Sequence, residues 1–360
     1  MTMALATAIS PWVIGTAVVG LLLIIPFVMG FFGSNQFDVK GKTVLLTGAS
    51  EGMGRSAAIQ LASKGANVII VSRSVDKLEA ALADVKASAL DPASQSFNFI
   101  SADLSTPSAA ASVVAKAKAL NNGVAPDIVW CIAGGCHPSL FLDADVSIMR
   151  SQMDLNYWAA AEMAHAILAE WLKPPSETAP ATTPGTPRKQ HHLVFTASVL
   201  SFYPIVGYVP YSPAKAALRS LSDTLAQELL LYHAPSPEVK VHTIFPGSIS
   251  SPGFERENAL KPAVTLQLEE ADPVQTPEEV ASKSIKGLEN GDYLVTVGWL
   301  GALMRAGAWG SSPKNNTFVD LIVTWVASIV WVIVGVDLNS KVRAYGKKHG
   351  HPQLYSRKAV

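Results

Sequence analysis

The stretch Thr47-Gly48-Ala49-Ser50-Glu51-Gly52-Met53-Gly54 decides the fold of this chain. An apolar run over 43–47 precedes it, and a helix is predicted over 55–64. Glycines at 48, 52 and 54 permit a tight turn, so a pyrophosphate can approach the backbone at the start of the helix. A Gly-rich turn alone is weak evidence, but its place between a strand and a helix favours a dinucleotide site.

Outward from this turn, short β-branched runs alternate with longer Ala- and Leu-rich stretches. The runs are continuously apolar, as expected for strands buried on both faces of a parallel sheet. We predict strands over 43–47, 67–72, 97–102, 128–133, 192–198 and 241–246, and helices over 55–64, 77–89, 109–120, 151–172 and 212–231. This alternation predicts an α/β fold with a doubly wound, Rossmann-type parallel sheet.

The composition excludes several classes of protein. Among 360 residues, 28 are basic and 28 acidic, so there is no excess positive charge for general nucleic-acid binding. An apolar fraction of 49% excludes a disordered chain, and two cysteines cannot form a disulfide scaffold. Only 16% of the residues are charged and the mean hydropathy is +0.26, which suggests contact with a membrane.

The N-terminal region is the first candidate membrane segment. No charged side chain occurs before Asp38, and the apolar run over 11–32 exceeds the ~20 residues that cross hydrocarbon. A cleaved signal peptide is the alternative, although the basic segment that begins such peptides is missing. Lys40 and Lys42 follow directly, which favours a cytosolic position for the rest of the chain.

The C-terminal region contains two further apolar stretches, over 293–309 and 318–336. Together they could form a hairpin or re-entrant pair in the membrane, and the basic tail that follows would then return to the cytosol. Alternatively, both pack as core or as an interfacial helix. We therefore predict an anchor over 1–37, a catalytic domain over 38–292 with a flexible Pro/Thr-rich insertion over 173–190, and a membrane-associated region over 293–360.

The residues after the second predicted strand bear on cofactor choice. NAD enzymes place an acidic residue there to bind the ribose 2′-hydroxyl, but this chain has Ser72-Arg73-Ser74. The planar guanidinium of Arg73 suits a 2′-phosphate, so NADPH is favoured over NADH. Lys77 could assist, or it could lie on the exposed face of the next helix.

Candidate catalytic residues follow the fifth predicted strand. Tyr211 and Lys215 are four residues apart, which places both side chains on one helix face. A lysine ammonium stabilises phenolate and so makes the tyrosine a usable acid and base. Ser198 ends a strand and could hydrogen-bond a substrate carbonyl, while Asn156 could hold a water behind Lys215.

These motifs resemble the short-chain dehydrogenase/reductase family over about residues 40–290. The resemblance implies that Asn156, Ser198, Tyr211 and Lys215 form a catalytic tetrad. It implies cofactor contacts from Gly48, Ser50, Gly52, Gly54, Arg73, Lys77, Asp103, Leu104, Ala133, Gly134, Tyr211, Lys215, Pro246 and Gly247. The chain departs from the family pattern at Cys131-Ile132-Ala133-Gly134, where most members have two asparagines before the Ala-Gly pair.

Shorter motifs resemble one branch of that family, the 3-ketodihydrosphingosine reductases. They are the segment 251–258, the Lys261-Pro262 pair, the cysteine form of the Ala-Gly motif and the apolar termini. The resemblance implies NADPH-dependent reduction of 3-ketosphinganine, a long-chain lipid ketone, at the cytosolic face of the endoplasmic reticulum membrane. A membrane-bound steroid, retinoid or 3-ketoacyl reductase and a non-catalytic NADPH-binding scaffold are the alternatives. The resemblance leaves a homo-oligomer open.

The loop over 248–272 is predicted to cover the substrate. Its residues Glu255, Glu257, Glu269 and Glu270 could pair with a substrate ammonium, but solvated lid charges are the favoured interpretation. No metal site is predicted, because Cys131 and Cys136 lack further ligands at metal-binding spacing.

Overall fold

A computed structural model describes residues 34–174 and 188–352. The predicted N-terminal span over 11–32 lies outside the described residues, as does 175–187, the central part of the predicted insertion. The last eight residues, 353–360, also lie outside them. The predicted catalytic domain is otherwise described nearly in full.

One parallel sheet of seven strands organises the domain, in the order β3-β2-β1-β4-β5-β6-β9. Its strands are β1 Thr43–Thr47, β2 Asn67–Ser72, β3 Phe97–Ser101, β4 Ile128–Cys131, β5 Gln190–Thr196, β6 Glu238–Phe245 and β9 Leu294–Thr296. Two further strands, β7 Ser248–Ile249 and β8 Val274–Gln275, pair with each other outside this sheet. The chain order reverses between β1 and β4, and ligands bind at such a switch point in doubly wound sheets.

Eleven α-helices are described in the same residues. They are α1 Gly52–Ser63, α2 Val75–Ala87, α3 Ala109–Leu120, α4 Val146–Met153, α5 Ala159–Trp171, α6 Ser212–Glu228, α7 Pro252–Leu260, α8 Ala263–Glu269, α9 Pro277–Glu289, α10 Trp299–Gly307 and α11 Thr317–His349. A π-helical turn, Asp154–Trp158, joins α4 to α5, so the single helix predicted over 151–172 is interrupted.

The sheet is buried on both faces, which explains the continuous apolar character of its strands. On β1, Val44 and Leu46 face one core cluster and Leu45 faces the other, and none of the three is exposed. Helices α1, α2 and α9 cover the first face, and α3, α5 and α6 cover the second. The predicted doubly wound fold is confirmed, and all six predicted strands are present with shifts of a few residues at their ends.

A seventh strand lies where sequence patterning indicated a membrane segment. Leu294 and Val295 are buried, and β9 pairs in parallel with β6 through Thr243 and Leu294. The hairpin interpretation is therefore wrong for residues 294–296, and the alternative of core packing holds there. Three residues are too few to reveal a strand, because the place of β9 in the sheet depends on pairing with β6 and on hydrogen bonds of Leu294 with Asn315 and Arg305. The sheet thus extends past position 292, the predicted end of the catalytic domain.

Helix α11 is the one described helix that is long and apolar enough to cross a membrane. It packs against α10, where the Trp331 indole nitrogen donates a hydrogen bond to the Leu303 carbonyl oxygen at 3.0 Å. Near its start, buried Asp320 lies 3.7 Å from the Arg305 guanidinium. The second predicted apolar stretch, 318–336, is therefore a helix held along the surface of the domain.

Candidate active site

A cavity of about 770 Å³ opens at the carboxyl end of the sheet, beside the switch point between β1 and β4. It brings together most of the residues that the sequence identified. The lining includes Gly48, Ser50, Gly52, Arg73, Asp103, Leu104, Ala133, Gly134, Ser198, Tyr211, Lys215, Pro246 and Gly247. Three predicted site residues, Gly54, Lys77 and Asn156, are not among the lining residues.

The Gly-rich turn has the conformation that the sequence predicted. Gly48 and Gly52 have φ values of +66° and +56°, which favour glycine. A Cβ at Gly48 would lie 2.6 Å from the Cα of Ala133, and one at Gly54 would meet the Gly48 carbonyl oxygen. Gly54 therefore acts by keeping α1 close to the turn. This cradle brings the amino end of α1 to the cavity and fits a dinucleotide pyrophosphate.

Two basic residues after β2 have different surroundings. The side chain of Arg73 is 71% exposed at the cavity, and its guanidinium lies 4.0 Å from the carboxylate of Asp103. A hydrogen bond from Ser105, together with the charge of Arg73, lowers the pKa of Asp103 despite partial burial. The Lys77 ammonium instead binds Glu51 at 2.6 Å. The structure thus brings Arg73 to the predicted cofactor site and leaves Lys77 in an ion pair.

Tyr211 directly precedes α6, Lys215 lies in its first turn, and both line the cavity with Ser198. The Lys215 ammonium lies 5.7 Å from the Tyr211 ring centre and donates a hydrogen bond to the Thr196 carbonyl oxygen at 2.8 Å. Burial lowers the pKa of Lys215 to about 8. Burial also raises the pKa of Tyr211, although a hydrogen bond with Ser198 opposes that rise. The tyrosine is therefore protonated at neutral pH and available as an acid.

Asn156 supports the site from behind and does not line the cavity. It lies in the π-helical turn, is 1% exposed, and its amide nitrogen donates to the Gly135 carbonyl oxygen at 2.8 Å. Its amide oxygen accepts a hydrogen bond from the Gly135 nitrogen at 3.1 Å. A Cβ at Gly134 would lie 2.8 Å from that amide oxygen and 3.2 Å from the Lys215 ammonium. Asn156 therefore positions the loop between itself and Lys215.

The unusual Cys131-Ile132-Ala133-Gly134 segment has its own support. The hydroxyl oxygen of Thr47, at the end of β1, accepts hydrogen bonds from the backbone nitrogens of Ile132 and Ala133 at 3.0 and 3.1 Å. Thr47 thus connects the end of β1 to the segment after β4 by hydrogen bonds, although the two asparagines typical of the family are missing. Burial raises the pKa of the Cys131 thiol to about 12, so this cysteine is an unreactive part of the core.

Helices α7 and α8 cover the cavity within the predicted lid. Arg256 of α7 binds Glu51 of the Gly-rich turn at 2.9 Å. The lid follows Pro246-Gly247. A second set of contacts, centred on Lys261, holds the lid to the rest of the domain. The position of the predicted lid at the cavity is thus consistent with the structure.

These contacts form a cluster of four polar residues that sequence analysis did not assemble: Tyr208, Glu257, Lys261 and Glu269. The Tyr208 hydroxyl lies 2.8 Å from a Glu257 oxygen and 2.7 Å from a Glu269 oxygen. The Lys261 ammonium lies 3.1 and 2.7 Å from the same two carboxylates. The four-residue spacing of Glu257 and Lys261 was the only local signal, since Tyr208 and Glu269 are brought in by the fold.

The favoured interpretation of the lid glutamates as solvated charges is wrong for two of them. Glu257 and Glu269 line the cavity, and their side chains are 19% and 13% exposed. Glu255 and Glu270 are exposed, as expected. The difference arises because Glu257 and Glu269 share one buried lysine, whereas their sequence neighbours point outward.

Comparisons with known proteins agree with this geometry. Residues 42–261 match the family described as short chain dehydrogenase. The chain is 49% identical to 3-ketodihydrosphingosine reductase gsl-3 of Neurospora crassa, over 98% of this chain and 96% of the relative. It is 46% identical to 3-ketodihydrosphingosine reductase ksrA of Aspergillus fumigatus, over 97% of both chains.

A solved structure supports the fold. A short-chain dehydrogenase from Sphingobium yanoikuyae in complex with NADPH matches with a TM-score of 0.56 and 22% identity. The match covers 71% of this chain and 87% of that structure. At this level of identity the likeness concerns the fold, and the fold agrees with the doubly wound sheet described above.

Proposed function

The chain belongs to the short-chain dehydrogenase family, and we propose that it reduces 3-ketosphinganine to sphinganine with NADPH. One observation carries this proposal: the chain is 49% and 46% identical, over nearly its full length, to two reductases of that name, and Ser198, Tyr211 and Lys215 line one cavity. A lipid ketone also accounts for the apolar excess of the sequence, because the enzyme must work where its substrate is.

The chemistry follows from the positions of the polar groups. NADPH, when bound, supplies the hydride that adds to the ketone carbon. The Ser198 hydroxyl holds the ketone oxygen, and the Tyr211 hydroxyl donates the proton that completes the alcohol. The Lys215 ammonium, 5.7 Å from the Tyr211 ring centre, stabilises the phenolate left behind. Asn156 acts as a positioning residue, because it holds the loop that packs against Lys215.

The choice of NADPH over NADH rests on Arg73. Its guanidinium stands at the cavity beside the exposed carboxylate of Asp103, and the chain has no acidic residue at positions 72–74. We expect Arg73→Ala to raise the KM for NADPH about tenfold or more, because a charge-assisted bond to the 2′-phosphate is lost. The KM for NADH should change little.

Steady-state kinetics with both cofactors test this expectation. Lys86→Ala is the matched control, since Lys86 is an exposed basic residue on the adjoining helix α2 and does not line the cavity. Equal effects of Arg73→Ala on the two cofactors would show that the arginine does not read the 2′-phosphate.

The lid offers partners for the ammonium group of the proposed substrate. Glu257 and Glu269 carry two negative charges against the single positive charge of Lys261. Glu257 contacts both Tyr208 and Lys261 through the same oxygen, Oε1, which leaves its Oε2 outside these contacts. An excess of negative charge in a partly buried cavity favours a cationic ligand.

For the cellular site we propose the endoplasmic reticulum membrane, with the catalytic domain facing the cytosol. Helix α11 exposes a long apolar surface, and Lys341, Arg343, Lys347 and Lys348 follow that surface within the same helix. Such a basic segment favours the cytosolic face of a membrane. The anchor over 1–37 and assembly into a homo-oligomer remain proposals.

A panel of ketones tests the proposed reaction. We expect the full chain, purified in detergent, to oxidise NADPH with 3-ketosphinganine and to do so much more slowly with a steroid ketone, retinal or a 3-ketoacyl thioester. Preference for one of the latter three substrates would assign the protein to another reductase class. NADPH binding without turnover of any ketone would indicate a non-catalytic scaffold.

A further inference from the structure

Helix α11 has two apolar faces with different surroundings. The outward face is a stripe of large exposed side chains: Phe318, Leu321, Ile322, Trp325, Val326, Ile329, Val332, Ile333 and Val336. Their spacing of three and four residues places them on one side of the helix. The inward face contains Asp320, Ala327, Trp331, Val334 and Leu338, which are buried or half-buried against the domain.

The inward face of α11 is part of the catalytic cavity. Trp331, Val334 and Leu338 line the same cavity as Tyr211, together with apolar residues of α10 such as Met304. The wall that they form is apolar, whereas polar residues such as Ser198, Tyr211 and Glu257 line other parts of the cavity. A ligand that fills this space must therefore be polar at its reacting end and apolar at the other.

Three contacts fix the helix in this position. The Trp331 indole donates to the Leu303 carbonyl oxygen at 3.0 Å and stacks on Tyr203, with 4.7 Å between the ring centres. A Cβ at Gly307 would overlap the Trp331 ring, so the glycine permits the close approach of α10 and α11. The apolar wall is therefore a built part of the cavity.

The lining residues also mark a change in the character of α11. The apolar stripe ends at Val336, and Asp337 and Lys341 follow as an exposed ion pair at 2.7 Å. The change from apolar to polar side chains thus falls between Val334 and Leu338, two of the residues that line the cavity. On a membrane-bound protein this point lies at the level of the lipid headgroups.

We propose that α11 is the route by which the lipid ketone enters the cavity from the membrane. The outward stripe contacts the bilayer, and the alkyl chain of the substrate lies along Trp331, Val334 and Leu338 while its ketone reaches Tyr211. The inference rests on the proposed function. Its physical basis is that a continuous apolar path spares the methylene groups of the chain from exposure to water.

The test compares an 18-carbon 3-ketosphinganine with its 8-carbon homologue, both assayed in detergent micelles. Val334→Asn places an amide on the inward face, and we expect it to lower kcat/KM for the long ketone about tenfold more than for the short one. Val332→Asn is the matched control, because it makes the same change two residues away on the outward face. The control should leave the ratio of the two substrates unchanged.

A second variant distinguishes a blocked route from misfolding of Val334→Asn. Val334→Trp keeps the helix apolar but narrows the proposed route, so it should lower kcat/KM for the long-chain ketone more than for the short-chain ketone. Suppose that the wild-type protein reduces both ketones, and that neither Val334→Asn nor Val334→Trp changes the ratio of kcat/KM for the long ketone to kcat/KM for the short one. This result would overturn the route alone. A wild-type protein that reduces neither ketone would overturn the proposed function and the route with it.

Discussion

Two tyrosine–lysine pairs lie at the cavity: Tyr211 with Lys215 form the floor pair, and Tyr208 with Lys261 of the lid form the lid pair. In the floor the Lys215 ammonium lies 5.7 Å from the Tyr211 ring centre, and at the lid the Lys261 ammonium lies 5.8 Å from that of Tyr208. The two tyrosine rings are 6.3 Å apart. Both lysines are buried, so the same side chains occur twice in nearly the same geometry.

The two pairs differ in the charges around the lysine. Burial lowers the pKa of Lys215 to about 8, and only the thiols of Cys136 and Cys131 oppose this shift. Burial also works to lower the pKa of Lys261, but Glu269 and Glu257 outweigh burial and raise it. Burial, together with the two carboxylates, raises the pKa of Tyr208, and burial also raises that of Tyr211. As pH rises above neutral, the floor lysine can therefore lose its proton, whereas the lid lysine keeps its positive charge.

Replacing the two tyrosines gives the largest expected contrast. We expect Tyr211→Phe to lower kcat about a hundredfold or more, because the proton donor is removed. Tyr208→Phe should lower kcat by no more than about tenfold, since Lys261 still holds both carboxylates. The measurement is NADPH oxidation with 3-ketosphinganine. Equal losses for the two variants would remove the distinction between floor and lid.

The pH dependence of the reaction should report Lys215 and not Lys261. Because Lys215 loses its proton as pH rises through about 8, it can no longer stabilise the Tyr211 phenolate, and kcat/KM should then fall about tenfold per pH unit. Lys261 keeps its charge over this range. The profile is recorded between pH 6 and pH 10 with NADPH binding measured in parallel, and a flat profile would contradict the assignment.

Removing the lid lysine should affect binding more than chemistry. Lys261→Met leaves Glu257 and Glu269 close together without their cation, so we expect the lid to loosen and the KM for the ketone to rise several-fold. The kcat should change less than in Tyr211→Phe. Lys286→Met, at an exposed position of α9, serves as the control for loss of a surface charge. A selective loss of kcat would instead place Lys261 in the chemistry.

The smallest predicted effect concerns recognition of the ammonium group. We expect Glu257→Gln to raise the KM for 3-ketosphinganine about threefold to tenfold while leaving a ketone analogue without the amine unaffected. Glu255→Gln makes the same change on the exposed side of α7 and should have no effect. An equal response of both ketones to Glu257→Gln would mean that the carboxylate only holds the lid.

Local sequence patterns predicted the residues of the cavity floor. Gly48 and Gly52 require positive φ angles, and Tyr211 and Lys215 share a helix face because they are four residues apart. Such features depend on neighbours in the chain, so they can be read without a structure. The lid was misjudged for the opposite reason. Glu257 and Glu269 are twelve residues apart, and only the packing of α7 and α8 brings them to one lysine.

By itself the sequence determined the doubly wound sheet, the Gly-rich turn, the Ser198–Tyr211–Lys215 set and the apolar character of 318–336. Each of these follows from backbone conformation, periodicity, spacing or composition along the chain. Only the tertiary structure decided that Leu294–Thr296 joins the sheet, that Lys261 pairs with two lid carboxylates, and that one face of α11 forms a wall of the cavity. These properties arise from contacts between distant segments, whose energies depend on burial and on partners that no local pattern specifies.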